Sequence, residues 1–244
     1  MPRFFVNKSD IDGSAAHIYG DDARHIARSL RMAVGDTVTL SDGEGTEYEG
    51  KLVRIRDEEC VCEIGEGHPS RSESPQKITL FIAYPKGDKL ETVIQKAVEL
   101  GVDTVVPFES SRCIKRPAKE KLEKLTARHM KIAEEAAKQC GRARLPVVLS
   151  PISFNEMLEK TKASELALFC YEAEDGTTLK SAVESAKSID SIAVIVGCEG
   201  GFSPEEANAA ALAGAVSVSL GSRILRCETA PLYVLSALSY VFEL

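Results

Sequence analysis

The fold is decided by the stretch IAVIVGCEGGFSPEE, residues 192–206. Five apolar residues predict a buried strand, the glycines after it predict a tight turn, and Ser203 begins a helix. Pro204 suits the first helical position, and Glu206 is spaced to complete a capping box with Ser203. A strand, a glycine-rich turn and a helix start at the carboxyl edge of a sheet are typical of an α/β ligand site. The alternative is that the glycines only make the turn.

The charges in this stretch restrict the ligand. It matches neither G-x-G-x-x-G nor the phosphate-binding P-loop, which needs G-K-[ST]. Glu199 lies among the glycines, and Glu205 and Glu206 lie in the first helical turn, where carboxylates would repel a pyrophosphate. The pattern favours a nucleoside that carries positive charge and no phosphate.

A second loop follows the next strand in the same way. The β-rich segment 215–220 leads into residues 221–231, which contain Arg223, Arg226 and Glu228. These charged residues form either a structural ion-pair cluster or a site. The segment Leu232–Leu244 is apolar nearly all round, which is typical of a helix buried in an interior or at a subunit interface.

The sequence on either side of these loops predicts two domains. Residues 1–72 contain short β-like runs and one helix, from Asp21 to about Met32, which predicts a small closed or half-closed β unit. A polar, proline-flanked linker follows at 68–75. In residues 73–244 strands alternate with helices, which predicts a mostly parallel sheet covered on both faces. The predicted strands are 78–83, 102–108, 166–171, 192–196 and 215–220, and the predicted helices include 89–100, 117–140 and one that Ser153 caps.

The chain has 244 residues and a net charge of −7, which excludes a protein that coats nucleic acid indiscriminately. Residues 112–144 nevertheless carry 11 basic and 4 acidic side chains. In the first domain Arg24, Arg28 and Arg31 have the spacing of one helix face. They indicate either contact with a polyanion or pairing with the aspartates that begin the helix. Basic patches on both domains favour a phosphate backbone that bridges them.

Other classes of protein are disfavoured. No apolar run reaches the length of a membrane span, and the amino terminus lacks an apolar signal core. The 7 cysteines include no C-x-x-C pair and no nearby histidine cluster, so we expect neither a disulfide scaffold nor a metal site, but reduced thiols in the cytoplasm. Thiol catalysis by Cys198 or Cys227 is disfavoured because no histidine accompanies either. His25 either packs or contacts phosphate, or serves as a base.

Together, the motifs resemble the bacterial 16S rRNA uridine N3-methyltransferase family of the SPOUT superfamily. The resemblance is carried by VGCEGGFS at 196–203 and by LGSRILRCETAP at 220–231. Arg24-His25, Leu30-Arg31 and three further segments agree with the family pattern in order: KGDK at 86–89, KAVELG at 96–101 and AAKQCGR at 136–142. Cys198 departs from it, because the family usually has proline there.

The resemblance implies an architecture and an activity. It implies a small PUA-like β-barrel for RNA contact and a SPOUT-type parallel sheet whose carboxyl end forms a trefoil knot. S-adenosyl-L-methionine would bind in the knot loops of a homodimer, and the substrate would be a specific uridine in 16S rRNA of the small ribosomal subunit. The expected cofactor-binding residues are Gly197, Glu199, Gly200, Gly201, Leu220, Gly221, Ile224, Leu225, Thr229 and Ala230, and the expected RNA-binding residues are Arg24, His25, Arg28, Arg31 and Arg142.

Methylation at uracil N3 requires loss of the imide proton and stabilisation of the negative charge that develops on the ring. We expect Arg226 to stabilise that charge, and Glu228 to orient Arg226 or to act as the base. Two other functions remain as alternatives. One is a non-catalytic RNA-binding or ribosome-assembly protein with the same fold, which would not bind S-adenosyl-L-methionine. The other is a small-molecule α/β enzyme, which would leave both basic patches without a purpose.

Overall fold

The computed structural model describes residues 1–114, 116–186 and 189–244, so Lys115 of the basic stretch lies outside the described residues. The chain divides into two compact units. One comprises Met1–Glu73 with Ala137–Leu145, and the other comprises Ser74–Ala136 with Pro146–Leu244. No local sequence pattern predicts that residues 137–145 belong to the first unit.

The first unit is built on a seven-stranded sheet that curls on itself. Its elements are β1 (Arg3–Phe5), β2 (Ile11–Asp12), β3 (Ala15–Tyr19), α1 (Gly20–Arg24), β4 (Thr37–Ser41), β5 (Thr46–Ile55), β6 (Glu59–Ile64) and β7 (His68–Pro69). The strand order is β1-β4-β5-β6-β3-β2, with β7 on β5. Only β1 and β4 pair in parallel. Alternate residues such as Ala16 and Ile18 point into a core that they share with Phe4, Leu40 and Leu52.

The helix predicted from Asp21 to Met32 is shorter than expected. α1 ends at Arg24, and the chain continues as a π-helical turn over His25–Ser29, with a hydrogen bond of 2.9 Å from Leu30 N to His25 O. Arg31 lies beyond this turn with a φ of 50°. The wider π-helical turn breaks the α-helical spacing, so the prediction that the three arginines share one α-helical face is wrong.

The second unit alternates strands and helices. Its elements are β8 (Lys77–Ala83), α2 (Lys89–Glu99), β9 (Thr104–Glu109), α3 (Leu122–Cys140, whose last residues belong to the first unit), β10 (Val147–Val148), β11 (Ile152–Ser153), α4 (Phe154–Thr161), β12 (Leu166–Cys170), α5 (Leu179–Glu184), β13 (Ser191–Val196), α6 (Pro204–Leu212), β14 (Val216–Val218) and α7 (Ala230–Phe242).

These strands form one parallel sheet, as predicted. The order is β10-β9-β8-β13-β12-β14, with β11 on β9, and every pair is parallel. All five residues of β12 are buried, which is typical of a strand covered on both faces. The predicted capping boxes at Ser153 and Ser203 are confirmed, and Thr178 forms a third that was not predicted.

The strand order determines where a site can form. β13 lies between β8 and β12, and β14 borders β12, so the carboxyl ends of these four strands are neighbours. The segments that follow them include both glycine-containing loops singled out in the sequence. Among the described residues, no helix has both the length and the apolar character that crossing a membrane requires.

Candidate functional site

A cleft of about 910 Å³ lies at the carboxyl ends of the strands of the second unit. Three segments line it: 170–175 after β12, 196–201 after β13 and 219–227 after β14, with Lys89 and Ala230. Its lining includes four carboxylates (Glu172, Glu174, Asp175, Glu199) and three basic side chains (Lys89, Arg223, Arg226). A cleft of this size and composition suits an organic cation better than a polyphosphate.

The loop after β13 is a tight turn held close to its neighbours. Gly201 N donates to Cys198 O at 2.9 Å, and Gly201 has a φ of +62°. The positive φ favours glycine here, and a Cβ on Gly201 would lie 2.2 Å from Glu172 Oε1, so the carboxylate end of that side chain would have to move. The next residue, Phe202, is buried with its ring 4.2 Å from that of Phe169, which anchors the loop to β12.

The helix that follows the turn is fixed by a buried carboxylate. Glu206 accepts from Ser203 N at 3.0 Å, as the capping box predicts, and also from Ser111 N at 2.7 Å. Its exposure is only 8%, so Glu206 serves the protein's own backbone rather than a ligand. It connects the loop after β9 to the start of α6.

Arg112 holds the same turn from the other side, and sequence reasoning missed it as a site residue. Its Nη1 donates to Gly200 O at 2.8 Å and lies 4.0 Å from Glu172 Oε1. A Cβ on Gly200 would lie 3.1 Å from the Arg112 Cβ, so the two residues are packed together. The first basic residue of the stretch 112–144 therefore supports the cleft.

Glu199 and Glu228 meet at one cation, Lys89. The Lys89 Nζ lies 3.0 Å from Glu199 Oε1 and 3.2 Å from Glu228 Oε2. Hydrogen bonds to the two glutamates raise the pKa of Lys89. Burial acts to raise the pKa of both carboxyl groups, but their hydrogen bonds outweigh it and lower both pKa values. All three groups are therefore charged at neutral pH.

The loop after β14 places Arg226 on the rim of the cleft with its side chain exposed. The Arg226 carbonyl accepts from Thr229 N at 2.8 Å and Ala230 N at 2.9 Å, which forms the turn that begins α7. Among the described residues, Glu228 hydrogen-bonds to Lys89 and to the Cys227 thiol, and no hydrogen bond joins it to Arg226. The expectation that Glu228 orients Arg226 directly therefore has no support in this geometry.

The structure brings nearly all of the expected cofactor-binding residues into one cleft. Thr229 is the exception: it occupies the N-cap position of α7 and is not part of the cleft lining. The residues of the expected set that line the cleft are Gly197, Glu199, Gly200, Gly201, Leu220, Gly221, Ile224, Leu225 and Ala230. Their role in binding stays a prediction.

The thiols near the cleft are buried. Cys198 is 6% exposed and lies 3.9 Å from the Ser110 hydroxyl, which is itself 3.4 Å from Cys113 Sγ. Burial raises the pKa of Cys227 to about 12, which keeps that thiol protonated. The part of the chain that the structure describes contains no group of three or more His, Cys, Asp or Glu side chains placed to hold a metal ion.

Four of the five expected RNA-binding residues lie on the surface of the first unit. Arg24 pairs with Asp21 and Arg28 pairs with Asp57, while His25 and Arg31 are also exposed. The pairing of Arg24 with an aspartate that begins the helix matches the alternative reading of the arginine row. Such exposed pairs are weak and can be exchanged for phosphate contacts.

Arg142, the fifth expected RNA-binding residue, is buried. Its side chain is 3% exposed and its Nη2 lies 2.8 Å from Glu73 Oε2. The neighbouring oxygen, Glu73 Oε1, accepts from Ala143 N and Arg144 N at 2.7 and 2.9 Å. The guanidinium is used inside the first unit, so the expectation that it contacts RNA does not fit the structure.

Two family models match the sequence. One describes an RNA methyltransferase domain and matches residues 72–239, and the other describes an RNA methyltransferase PUA domain and matches residues 18–65. A ribosomal RNA small subunit methyltransferase E from Bacillus subtilis is 34% identical over 100% of this chain and 98% of its own length. The Mycobacterium tuberculosis protein of the same name is 29% identical over 96% of this chain and 89% of its own length.

Solved structures agree over nearly the whole chain. A putative methyltransferase from Legionella pneumophila, in complex with bound S-adenosyl-L-methionine, superposes with a TM-score of 0.86 at 31% identity, covering 98% of this chain and 96% of that one. A ribosomal RNA small subunit methyltransferase E from Neisseria gonorrhoeae, bound to the same molecule, gives a TM-score of 0.83 at 31% identity, covering 99% and 98%.

Proposed function

Since this chain belongs to the RNA methyltransferase family, we propose that it transfers a methyl group from S-adenosyl-L-methionine to N3 of a uridine in 16S rRNA of the small ribosomal subunit. The observation that carries the proposal is that both sequence-predicted loops line one cleft. The two solved relatives with bound S-adenosyl-L-methionine cover 98% and 99% of this chain.

The cleft fits this cofactor on its own chemistry. S-adenosyl-L-methionine supplies a methyl group on a cationic sulfur, together with an ammonium group, and the lining offers more carboxylates than basic groups. Gly201 and Glu172 both line the cleft, and the absence of a side chain on Gly201 leaves room for the Glu172 carboxylate beside it. The backbone groups of the loops 197–201 and 220–225 would hold the adenosine and methionine parts.

Arg226 would supply the electrostatic part of the reaction. Loss of the N3 proton leaves negative charge on the uracil ring, and an exposed guanidinium on the cleft rim can stabilise that charge. The remaining work of the protein is alignment of the two reactants. The loops after β13 and β14 would do this by holding both at the same sheet edge.

RNA would be held by basic surfaces on each unit. In the first unit we retain Arg24, His25, Arg28 and Arg31 as contacts, since all four are exposed. In the second unit the exposed basic residues Lys119, Lys121 and Lys124 precede and begin α3. Contacts of this kind position a nucleic acid without reading its sequence.

The trefoil knot, the homodimer and the cytoplasmic location belong to the same proposal. Family membership supports the knot, and the proposed substrate, small-subunit rRNA, supports the location. Exposed apolar residues along α7 and just after it support a subunit contact: Tyr233, Tyr240, Val241 and Leu244.

The test is a purified reaction. Small ribosomal subunits that lack 3-methyluridine are incubated with the protein and S-adenosyl-L-methionine, and the rRNA nucleosides are measured by mass spectrometry. We expect 3-methyluridine to appear in 16S rRNA, and calorimetry to detect binding of the cofactor alone. Absence of both results would favour a non-catalytic RNA-binding protein.

A further inference from the structure

Lys89 joins three separate parts of the second unit. It is the first residue of α2, whereas Glu199 follows β13 and Glu228 precedes α7. The ion pairs of 3.0 and 3.2 Å therefore connect residues that are more than a hundred positions apart in sequence. Each side chain is about a third exposed or less, at 33%, 28% and 27%.

Each carboxylate has a second donor that fixes its orientation. Lys86 N donates to Glu199 Oε1 at 3.1 Å, and the Cys227 thiol donates to Glu228 Oε2 at 3.2 Å. Both glutamates are thus directed at the same ammonium group. Without that group, two carboxylates would face each other in a partly covered position and repel.

We propose that Lys89 is a positioning residue that sets the spacing of the two cofactor loops, and that Glu228 anchors the second loop rather than accepting the substrate's proton. The inference rests on the proposed function, because it assigns the loops to S-adenosyl-L-methionine. Glu228 is suited to anchoring, since its hydrogen bonds hold its pKa below the ordinary value and so weaken it as a base.

A positioning role predicts a particular kinetic pattern. Separation of the loops disturbs the bound cofactor first, so Lys89→Met should raise both the Kd and the KM for S-adenosyl-L-methionine by about 10- to 100-fold. Lys89→Arg keeps the charge and should restore most of the affinity. The kcat at saturating cofactor should change much less than the KM in both variants.

Glu228→Gln separates the two roles of that residue. Anchoring predicts a higher KM for the cofactor and a kcat within a few-fold of wild type, whereas loss of a general base would lower kcat by about 10²- to 10⁴-fold. Because both residues act through one contact, the variant with both changes should bind no more weakly than Lys89→Met.

The experiment measures cofactor binding by calorimetry and steady-state kinetics with small ribosomal subunits. The control is Lys180→Met, which removes an exposed ion pair with Glu184 on α5. Melting curves confirm that each variant folds, and Lys89→Arg tests the inference if Lys89→Met does not fold. Wild-type affinity in Lys89→Met, no rescue by arginine, or a kcat-only loss in Glu228→Gln would overturn it. If the wild-type protein neither binds the cofactor nor methylates, the proposed function fails, and this inference fails with it.

Discussion

Replacement of Glu73 by glutamine should destabilise the protein strongly, because Glu73 is the centre of a buried charge network. One oxygen accepts from the Arg142 Nη2 and Nε at 2.8 and 3.2 Å. The other accepts from the backbone of Ala143 and Arg144. The Glu73 side chain is 8% exposed and the Arg142 side chain is 3% exposed, so water has little access to replace a hydrogen bond that is lost.

The size of the stability loss follows from the fact that the glutamine amide cannot accept all of these hydrogen bonds. In Glu73→Gln one oxygen can still accept from the backbone, but the new NH₂ group faces the guanidinium, and donor opposes donor. Arg142 keeps its charge and loses the carboxylate that Glu73 supplied. Removal of one partner of a buried pair costs about 3–5 kcal/mol, and we expect a loss of free energy of unfolding in that range.

Acid should remove the same contribution. Burial acts to raise the pKa of Glu73, but Arg142 and the two backbone donors outweigh it and lower the pKa. A lowered pKa in the folded state means that the stabilisation is complete above the unfolded value of about 4.3 and is lost as the pH falls through the folded value. Wild type should therefore lose stability more steeply than Glu73→Gln below about pH 4.3.

Urea denaturation at pH 7 and across the acid range measures both effects. The control is Glu159→Gln, which breaks an exposed pair with Lys162 and should leave the unfolding midpoint unchanged. A loss below about 1 kcal/mol in Glu73→Gln, or parallel acid profiles for the variant and wild type, would refute the buried network.

Three further predictions concern the cleft and the RNA surface. Gly201 and Gly13 both have a left-handed φ, at +62° and +58°, so replacement of either by alanine should lower the free energy of unfolding by about 1–2 kcal/mol. Only Gly201→Ala should also weaken cofactor binding in calorimetry. Equal cofactor affinities of the two variants would contradict the assignment of Gly201 to the cleft. Glu206→Ala leaves two backbone donors without their acceptor and should cost about 1–3 kcal/mol in urea denaturation. Glu205→Ala removes an exposed carboxylate from the same helical turn and should cost clearly less. Arg28→Ala should reduce the slope of log affinity for RNA against log salt by about one in filter binding; an unchanged slope would remove Arg28 from the RNA surface.

The parts of the structure that sequence could predict are those set by short-range patterns. The capping residues Ser153 and Ser203 act within three positions of a helix start, and both are confirmed. The parallel sheet follows from apolar strands that alternate with helices. The two loops at its edge could be predicted because glycines and charged residues follow buried strands directly.

The parts that sequence missed depend on contacts between distant segments. Arg142 looks like one more basic residue on a helix end until Glu73, 69 positions earlier, is seen beside it. The same holds for Lys89, which begins α2 after the loop that follows β8, because only the strand order shows that β8 borders β13. A sequence signal existed, since charged residues follow β8 as they follow β13. The π-helical turn after Arg24 has no simple composition signal.

The central claim is methylation of uridine in small-subunit rRNA, and nucleoside mass mapping in a strain that lacks this protein tests it most directly. We predict that 16S rRNA from that strain lacks one methyluridine, and that the purified protein with S-adenosyl-L-methionine restores it to isolated small subunits. Arg226→Ala should not restore it while still binding the cofactor. A complete set of methyluridines in the deletion strain would contradict the account.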